Sequence, residues 1–219
     1  MSNTSIDRIA AVIPALNEAN TISQVILNVR AFATPIVVDD GSTDNTGSIA
    51  REAGAVVVTH EQNLGYDAAL QTGLFRAIQM GFEFAVTLDA DGQHNPALLV
   101  QFKDQLLNGA DVVVGVRDHF QRFSEMIFSW FGKQVWKISD PLCGMKAYRL
   151  GHLEKLGYFD SYKSIGTEYS IRCANAGLKI VNIPVTTAGR VGKSRFGSGL
   201  KPNYRILRAL VFGLINTKQ

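Results

Sequence analysis

Apolar residues in this 219-residue chain gather into short unbroken runs, each followed by a stretch of helical character. Ile9 to Pro14 is the first run and reads as a buried strand. A helix is expected after it, with Thr21 and Gln24 at capping-box spacing. Ile36 to Val38 is the second strand, and Asp44 can cap a short helix that stops at Gly54. Val56 to Thr59 is the third strand, and Tyr66 to Met80 is helical, ending before Gly81. Phe84 to Leu88 is the fourth. Asn95 then caps a helix with Pro96 in its first turn, where a missing N–H costs nothing, and that helix ends near Gly109. Val112 to Val116 is the fifth strand.

Strand and helix thus alternate five times. The strands are continuous Val/Ile/Ala runs rather than alternating ones, which indicates a parallel sheet covered by helices on both faces. The expected class is α/β, a Rossmann-like, mostly parallel sheet in a single domain, as the chain length suits. After Arg117 the alternation stops. The segment Phe120, Phe123, Ile127, Phe128, Trp130, Phe131, Val135, Trp136 has helical spacing and a broad apolar face. Two readings stay open for it: a core helix roofing a site, or a surface that meets lipid or a partner subunit.

Composition changes this picture little, and charge changes it at one end. No apolar stretch approaches the ~20 residues that span a bilayer. The N-terminus lacks a basic region ahead of its apolar run, so no signal peptide is expected. Cys143 and Cys173 give neither a disulfide framework nor zinc spacing, which fits reduced thiols in a cytoplasmic protein. Seven of the 22 basic residues and none of the 19 acidic ones fall from Arg190 onward, leaving the body mildly acidic. A basic tail on an acidic body suggests an anionic partner at that end. Residues 203–215 are expected to form a helix, basic at one end and apolar along much of its surface, suited to the cytoplasmic face of a membrane.

Candidate chemistry falls on the strand ends. LNEAN, DDGSTDNT, EQNLGYD, DADGQHNP and Arg117 each follow one strand, on the edge where open parallel sheets bind ligands. The turn PALNEAN has no glycine, which excludes the dinucleotide fingerprint, and Gly192-Lys193-Ser194 lacks the earlier glycine of a P-loop. Asp89 and Asp91 are the informative pair. In extended backbone, residues two apart point the same way, so both carboxylates can face one point. A divalent cation resolves their repulsion, and oxygen ligands suit Mg²⁺ or Mn²⁺. Gln93 can add a neutral oxygen, and Gly92 lets the backbone turn closely.

The ordered set VIPALNEAN, VVDDGSTDNT, NLGYDAAL, LDADGQHNP, DPLCGMKAYR and GRVGKSRFG resembles the family 2 glycosyltransferases of GT-A fold. The look is closest to the dolichyl- or polyprenyl-phosphate hexose synthases, across roughly residues 8–197. The resemblance implies a nucleotide-sugar-binding half over 8–118, an acceptor-side half over 119–200 and a basic, apolar tail over 201–219. It implies that Pro14, Ala15, Glu18 and Asn63 line the donor, with Asp39 or Asp40 reading base or ribose. Asp89, Ala90 and Asp91 would be the DxD, with Gln93 as a further metal ligand. Arg117, Arg190 and Lys193 match basic positions near phosphates, and Asp140 matches an aspartate near the acceptor. Position 66 is Tyr where the family often has Lys, and position 15 is Ala where many relatives have Tyr.

The implied function is metal-dependent, inverting transfer of a hexose from a UDP- or GDP-sugar to a polyprenyl phosphate. The alternative is transfer to a saccharide hydroxyl in cell-surface polysaccharide assembly. A hydroxyl wants a carboxylate base, with Asp140 first and Glu168 second, whereas a lipid phosphate is already ionised near pH 7. No nucleic acid is expected as a partner. A homo-oligomer stays open, and any membrane contact is expected to be peripheral. A nucleotidyltransferase would usually carry an early Gly-rich basic loop, and a non-catalytic binding protein is disfavoured by the retained Asp89, Asp91 and Asp140.

Overall fold

Strand-forming runs in a computed structural model, which describes residues 9–186 and 200–215, number seven: β1 (Ile9–Ala15), β2 (Thr34–Asp39), β3 (Val56–Thr59), β4 (Phe84–Thr87), β5 (Val112–Arg117), β6 (Lys146–Arg149) and β7 (Ile180–Val185). The helices are α1 (Ile22–Val29), α2 (Thr46–Glu52), α3 (Tyr66–Gln79), α4 (Leu98–Leu107), α5 (Phe123–Phe131), α6 (Leu150–Leu156), α7 (Glu168–Asn175) and α8 (Leu200–Ile215), with a π-turn over Gly132–Trp136. The strands form one sheet in the order β3-β2-β1-β4-β6-β5-β7. Neighbours β3-β2-β1-β4 and β5-β7 are parallel, while β6 lies antiparallel between β4 and β5.

Both faces of the sheet are covered, as the unbroken apolar strands require. Ile9, Ala11, Ile13 and Ala15 of β1 pack with α1, α2 and α4 on one side. Ala10 and Val12 face the other way, into the core made with α3, α6, α7 and α8. Gly73 lets α3 sit directly on β1, since a Cβ there would lie 2.3 Å from Val12 Cγ1.

Several local expectations are corrected. Thr21 and Gln24 do not make a capping box: the Thr21 hydroxyl donates to Glu18, and the Gln24 amide donates to Asn28 Oδ1. Helix α4 starts at Leu98 rather than at Pro96, and Asn95 Oδ1 accepts from Ala97 N in the turn before it. Strand β4 ends at Thr87, so Asp89 follows the strand and Asp91 stands in the turn after it. The region after Arg117 adds two strands that the short, polar-interrupted runs at 146–149 and 180–185 did not announce. The aromatic segment is split between core and surface: Phe128 and Trp136 are buried, while Phe123, Met126 and Trp130 are exposed. The tail helix is present and begins three residues earlier than expected. Cys143 and Cys173 are buried free thiols.

Candidate active site

A cavity of about 430 Å³ opens at the carboxyl ends of the parallel strands. Pro14, Ala15 and Glu18 line it from the end of β1, and Asp40 from the end of β2. Asn63, Gly65, Tyr66 and Asp67 come from the β3–α3 connection, and Asp89, Ala90, Asp91, Gln93 and His94 from the end of β4. Arg117, Arg122 and Glu125 form the opposite wall, closed by Arg205 and Ile206 of α8.

Buried carboxylates fix several of these loops. Asp40 accepts hydrogen bonds from Leu64 N and Gly65 N, both at 2.9 Å, and its Oδ1 lies 2.7 Å from His60 Nδ1. This holds Asn63 and Tyr66 at the cavity rim. Asp39 lies beside Asp40 but off the cavity, where its Oδ1 accepts from Ser42 N at the start of the loop into α2. Asp67 accepts from Ile165 N and Gly166 N, tying the 160–167 loop to α3. Burial pushes the Asp67 carboxyl up to about 6, with nearby Asp160 adding and the two backbone donors opposing. Buried Lys146, whose ammonium donates to Gly166 O, is pushed down to about 8 by desolvation against the pull of neighbouring acids.

The acidic pair is held asymmetrically. Asp91 is buried and its Oδ1 accepts from Gln93 N at 3.1 Å. Asp89 is more exposed and lies between Tyr66 OH and His94 Nε2, each 3.4 Å from one of its oxygens. Burial first, then the Asp89 charge, keeps the Tyr66 phenol well above its usual range, so it remains a donor. Gly144 makes room behind: a Cβ there would stand 2.3 Å from Asp89 Oδ2. His94 Nδ1 is buried with no hydrogen-bond partner among the described residues. The described residues hold no group of three His, Cys, Asp or Glu that could enclose a metal by itself. Two carboxylates with Gln93 beside them fit a hard cation that shares its remaining sites with phosphate oxygens and water.

The opposite wall is a charge network. Arg117 Nε and Nη2 grip both oxygens of Asp140 at 2.7 and 2.9 Å, and Arg117 N donates to Asp140 as well. Glu125 is shared between Arg117 Nη1 at 3.3 Å and Arg122 Nη1 at 2.8 Å. Burial works to lower the basicity of Arg117, but the hydrogen bonds and charge of Asp140, with Glu125, outweigh it and hold the guanidinium protonated. Asp140 is almost fully buried and does not reach the cavity, whereas Glu125 does. Glu168 is also off the cavity: it accepts from Ser161 N and Oγ and pairs with Arg172.

The family model described as glycosyl transferase family 2 matches residues 10–157. The chain belongs to that family. It is a glycosyltransferase, and its mixed sheet flanked by helices is the GT-A fold. An undecaprenyl-phosphate mannosyltransferase of Micrococcus luteus is 29% identical, over 88% of this chain and 89% of that protein. A polyprenol monophosphomannose synthase of Mycolicibacterium smegmatis is 29% identical, over 89% and 83%. Among solved structures, a glucosyl-3-phosphoglycerate synthase of Mycobacterium tuberculosis, in complex with Mn²⁺, UDP and phosphoglyceric acid, superposes with a TM-score of 0.76. It is 24% identical and covers 96% of this chain and 78% of its own, which shows the shared fold.

Within this family 2 domain, the cavity gathers Pro14, Ala15, Glu18, Asp40, Asn63, Asp89, Ala90, Asp91, Gln93 and Arg117 at one edge. It leaves Asp39, Asp140 and Glu168 outside. Arg190 and Lys193, with the Gly192-Lys193-Ser194 stretch, lie outside the described residues. Sequence reasoning gave no role to Tyr66, His94, Arg122, Glu125, Gly144 or Arg205. His94 and Gly144 sat inside quoted motifs and could have been found there. Glu125 was hidden in an aromatic segment read only for its apolar face.

Proposed function

We propose that this glycosyltransferase moves a hexose from a UDP- or GDP-sugar to a polyprenyl phosphate, dolichyl or undecaprenyl, inverting the anomeric carbon. One observation carries the choice of acceptor. On the acceptor-side wall the carboxylates are already engaged: both Asp140 oxygens by Arg117, and Glu125 by Arg117 and Arg122. Such a wall offers guanidinium groups rather than a ready general base. A phosphate monoester, with a second pKa of ~6, attacks without one and is drawn to arginine by bidentate contacts. The relatives named for polyprenyl-phosphate substrates support the same reading.

On the donor side, Asp40, Asn63 and the Pro14-Ala15 turn bound the nucleoside end of the cavity. Asp89, Asp91 and Gln93 would hold Mg²⁺ or Mn²⁺ against the diphosphate. When bound, the cation neutralises the charge that builds on the leaving diphosphate. Tyr66 and His94 orient Asp89 for that duty, a second layer that fixes ligand geometry. Transfer to a saccharide hydroxyl is the second reading, and it is favoured by Glu125, the acceptor-side carboxylate that faces the cavity.

A thermal-shift panel of UDP, GDP, dTDP and CMP, with and without Mn²⁺, tests the donor half, because a ligand that binds only the native state raises Tm. UDP or GDP should stabilise the wild type in the presence of Mn²⁺. The shift should vanish in Asp91→Asn while the unliganded Tm stays close to wild type. Equal shifts in the variant, or shifts that ignore the metal, would refute the metal role of the pair.

A further inference from the structure

Helices α5 and α8 lie side by side. The Ser124 hydroxyl donates to Asn203 Oδ1, and Gly213 brings α8 against Trp136 and Ile171. Each helix buries one row of side chains and leaves another outside. Helix α8 buries Ile206, Ala209 and Leu210, and exposes Tyr204, Leu207, Val211 and Ile215 at the spacing of a single helical stripe. Helix α5 buries Phe128 and exposes Phe123, Met126 and Trp130, again one stripe. Nine of the fifteen exposed large apolar side chains among the described residues fall on these two helices and the π-turn between α5 and Lys137. Apolar exposure concentrated this way marks an interaction surface.

Charge identifies the partner. The exposed charged residues of these segments are Lys133, Lys137, Lys201 and Arg205, all basic, and the one acid, Glu125, is buried. A second copy of the chain on the same stripes would bring these like charges together. An anionic lipid surface complements them and takes up the apolar rows. The same helices also build the cavity wall, through Arg122 and Glu125 at the start of α5 and Arg205 and Ile206 of α8.

We infer that the exposed rows of α5 and α8 seat this chain on an anionic phospholipid bilayer, with the Arg122 and Arg205 side of the cavity at the headgroup level. A phosphate on a membrane-embedded isoprenoid would then enter the cavity without leaving the bilayer. The inference deepens the acceptor reading, and binding measurements probe it separately from turnover.

The two tryptophans make a built-in test. Trp130 is 60% exposed and Trp136 only 2%. On phosphatidylglycerol–phosphatidylcholine vesicles, the full chain should show a blue-shifted emission that brominated lipid quenches. Trp130→Phe should remove that response while the protein still sediments with vesicles. Pure phosphatidylcholine should bind much less, and added salt should release the protein. Lys133→Glu with Lys201→Glu should weaken binding roughly ten-fold or more, with Tm unchanged. No vesicle binding, binding without quenching of Trp130, or a dimer in sedimentation equilibrium that buries Trp130 would each overturn the inference. Vesicle binding with no turnover on polyprenyl phosphate would leave it standing and count against the acceptor alone.

Discussion

Asp140 is the first choice of base for a hydroxyl acceptor. The resemblance placed it near the acceptor, and in the structure it is buried with both carboxylate oxygens bonded to Arg117. We propose that it aims the Arg117 guanidinium that lines the cavity. Asp140→Asn should therefore cost about 1–3 kcal/mol of stability through a poorly paired buried arginine. Turnover should fall by less than the ~10²–10⁴-fold expected on losing a general base. The pH–rate profile should keep its acidic limb, because no titrating base has been removed. A fall of that full size, with the limb gone, would return Asp140 to the role of base. The acidic pair was legible because two carboxylates one residue apart need a partner. Its supports, Tyr66, His94 and Gly144, lay inside the quoted motifs, but their contact with Asp89 did not show there, because they reach it from other elements and from a turn that the sequence pattern does not place.

At the scale of elements, the parallel core was legible because strands buried on both faces must be apolar throughout. The later strands were not, since β6 has four residues and pairs antiparallel with partners about 30 or more positions away in sequence order. The 160–167 loop is held against α3 by Asp67, and this gives it a pH dependence. The raised Asp67 value means that the folded state keeps its proton up to about 6, while the unfolded chain loses it near 3.8. Stability from this group is thus fully present below the lower value and is lost as pH rises through the higher one. In urea unfolding without ligand, the wild type should lose stability relative to Asp67→Asn as pH rises from about 4 to about 6. A difference that stays flat across that window, or that grows in favour of the wild type, would contradict the burial argument.

For the whole molecule, five sheet-edge turns and helices α5 and α8 enclose a cavity with Asp89 and Asp91 on one wall and Arg117 and Arg122 on the other. No helix among the described residues is long and apolar enough to cross a membrane. Both walls serve one claim: a donor diphosphate held at Asp89 and Asp91 faces an acceptor phosphate held at Arg117 and Arg122. The most direct measurement supplies purified protein with UDP- and GDP-hexoses labelled in the sugar, undecaprenyl phosphate in detergent, and Mn²⁺. Label is then followed into the organic phase. Transfer to the lipid is expected, abolished by chelator and by Asp91→Asn, with no transfer to soluble saccharides. Label appearing only in saccharide products, or lipid product formed undiminished in excess chelator, would contradict the account.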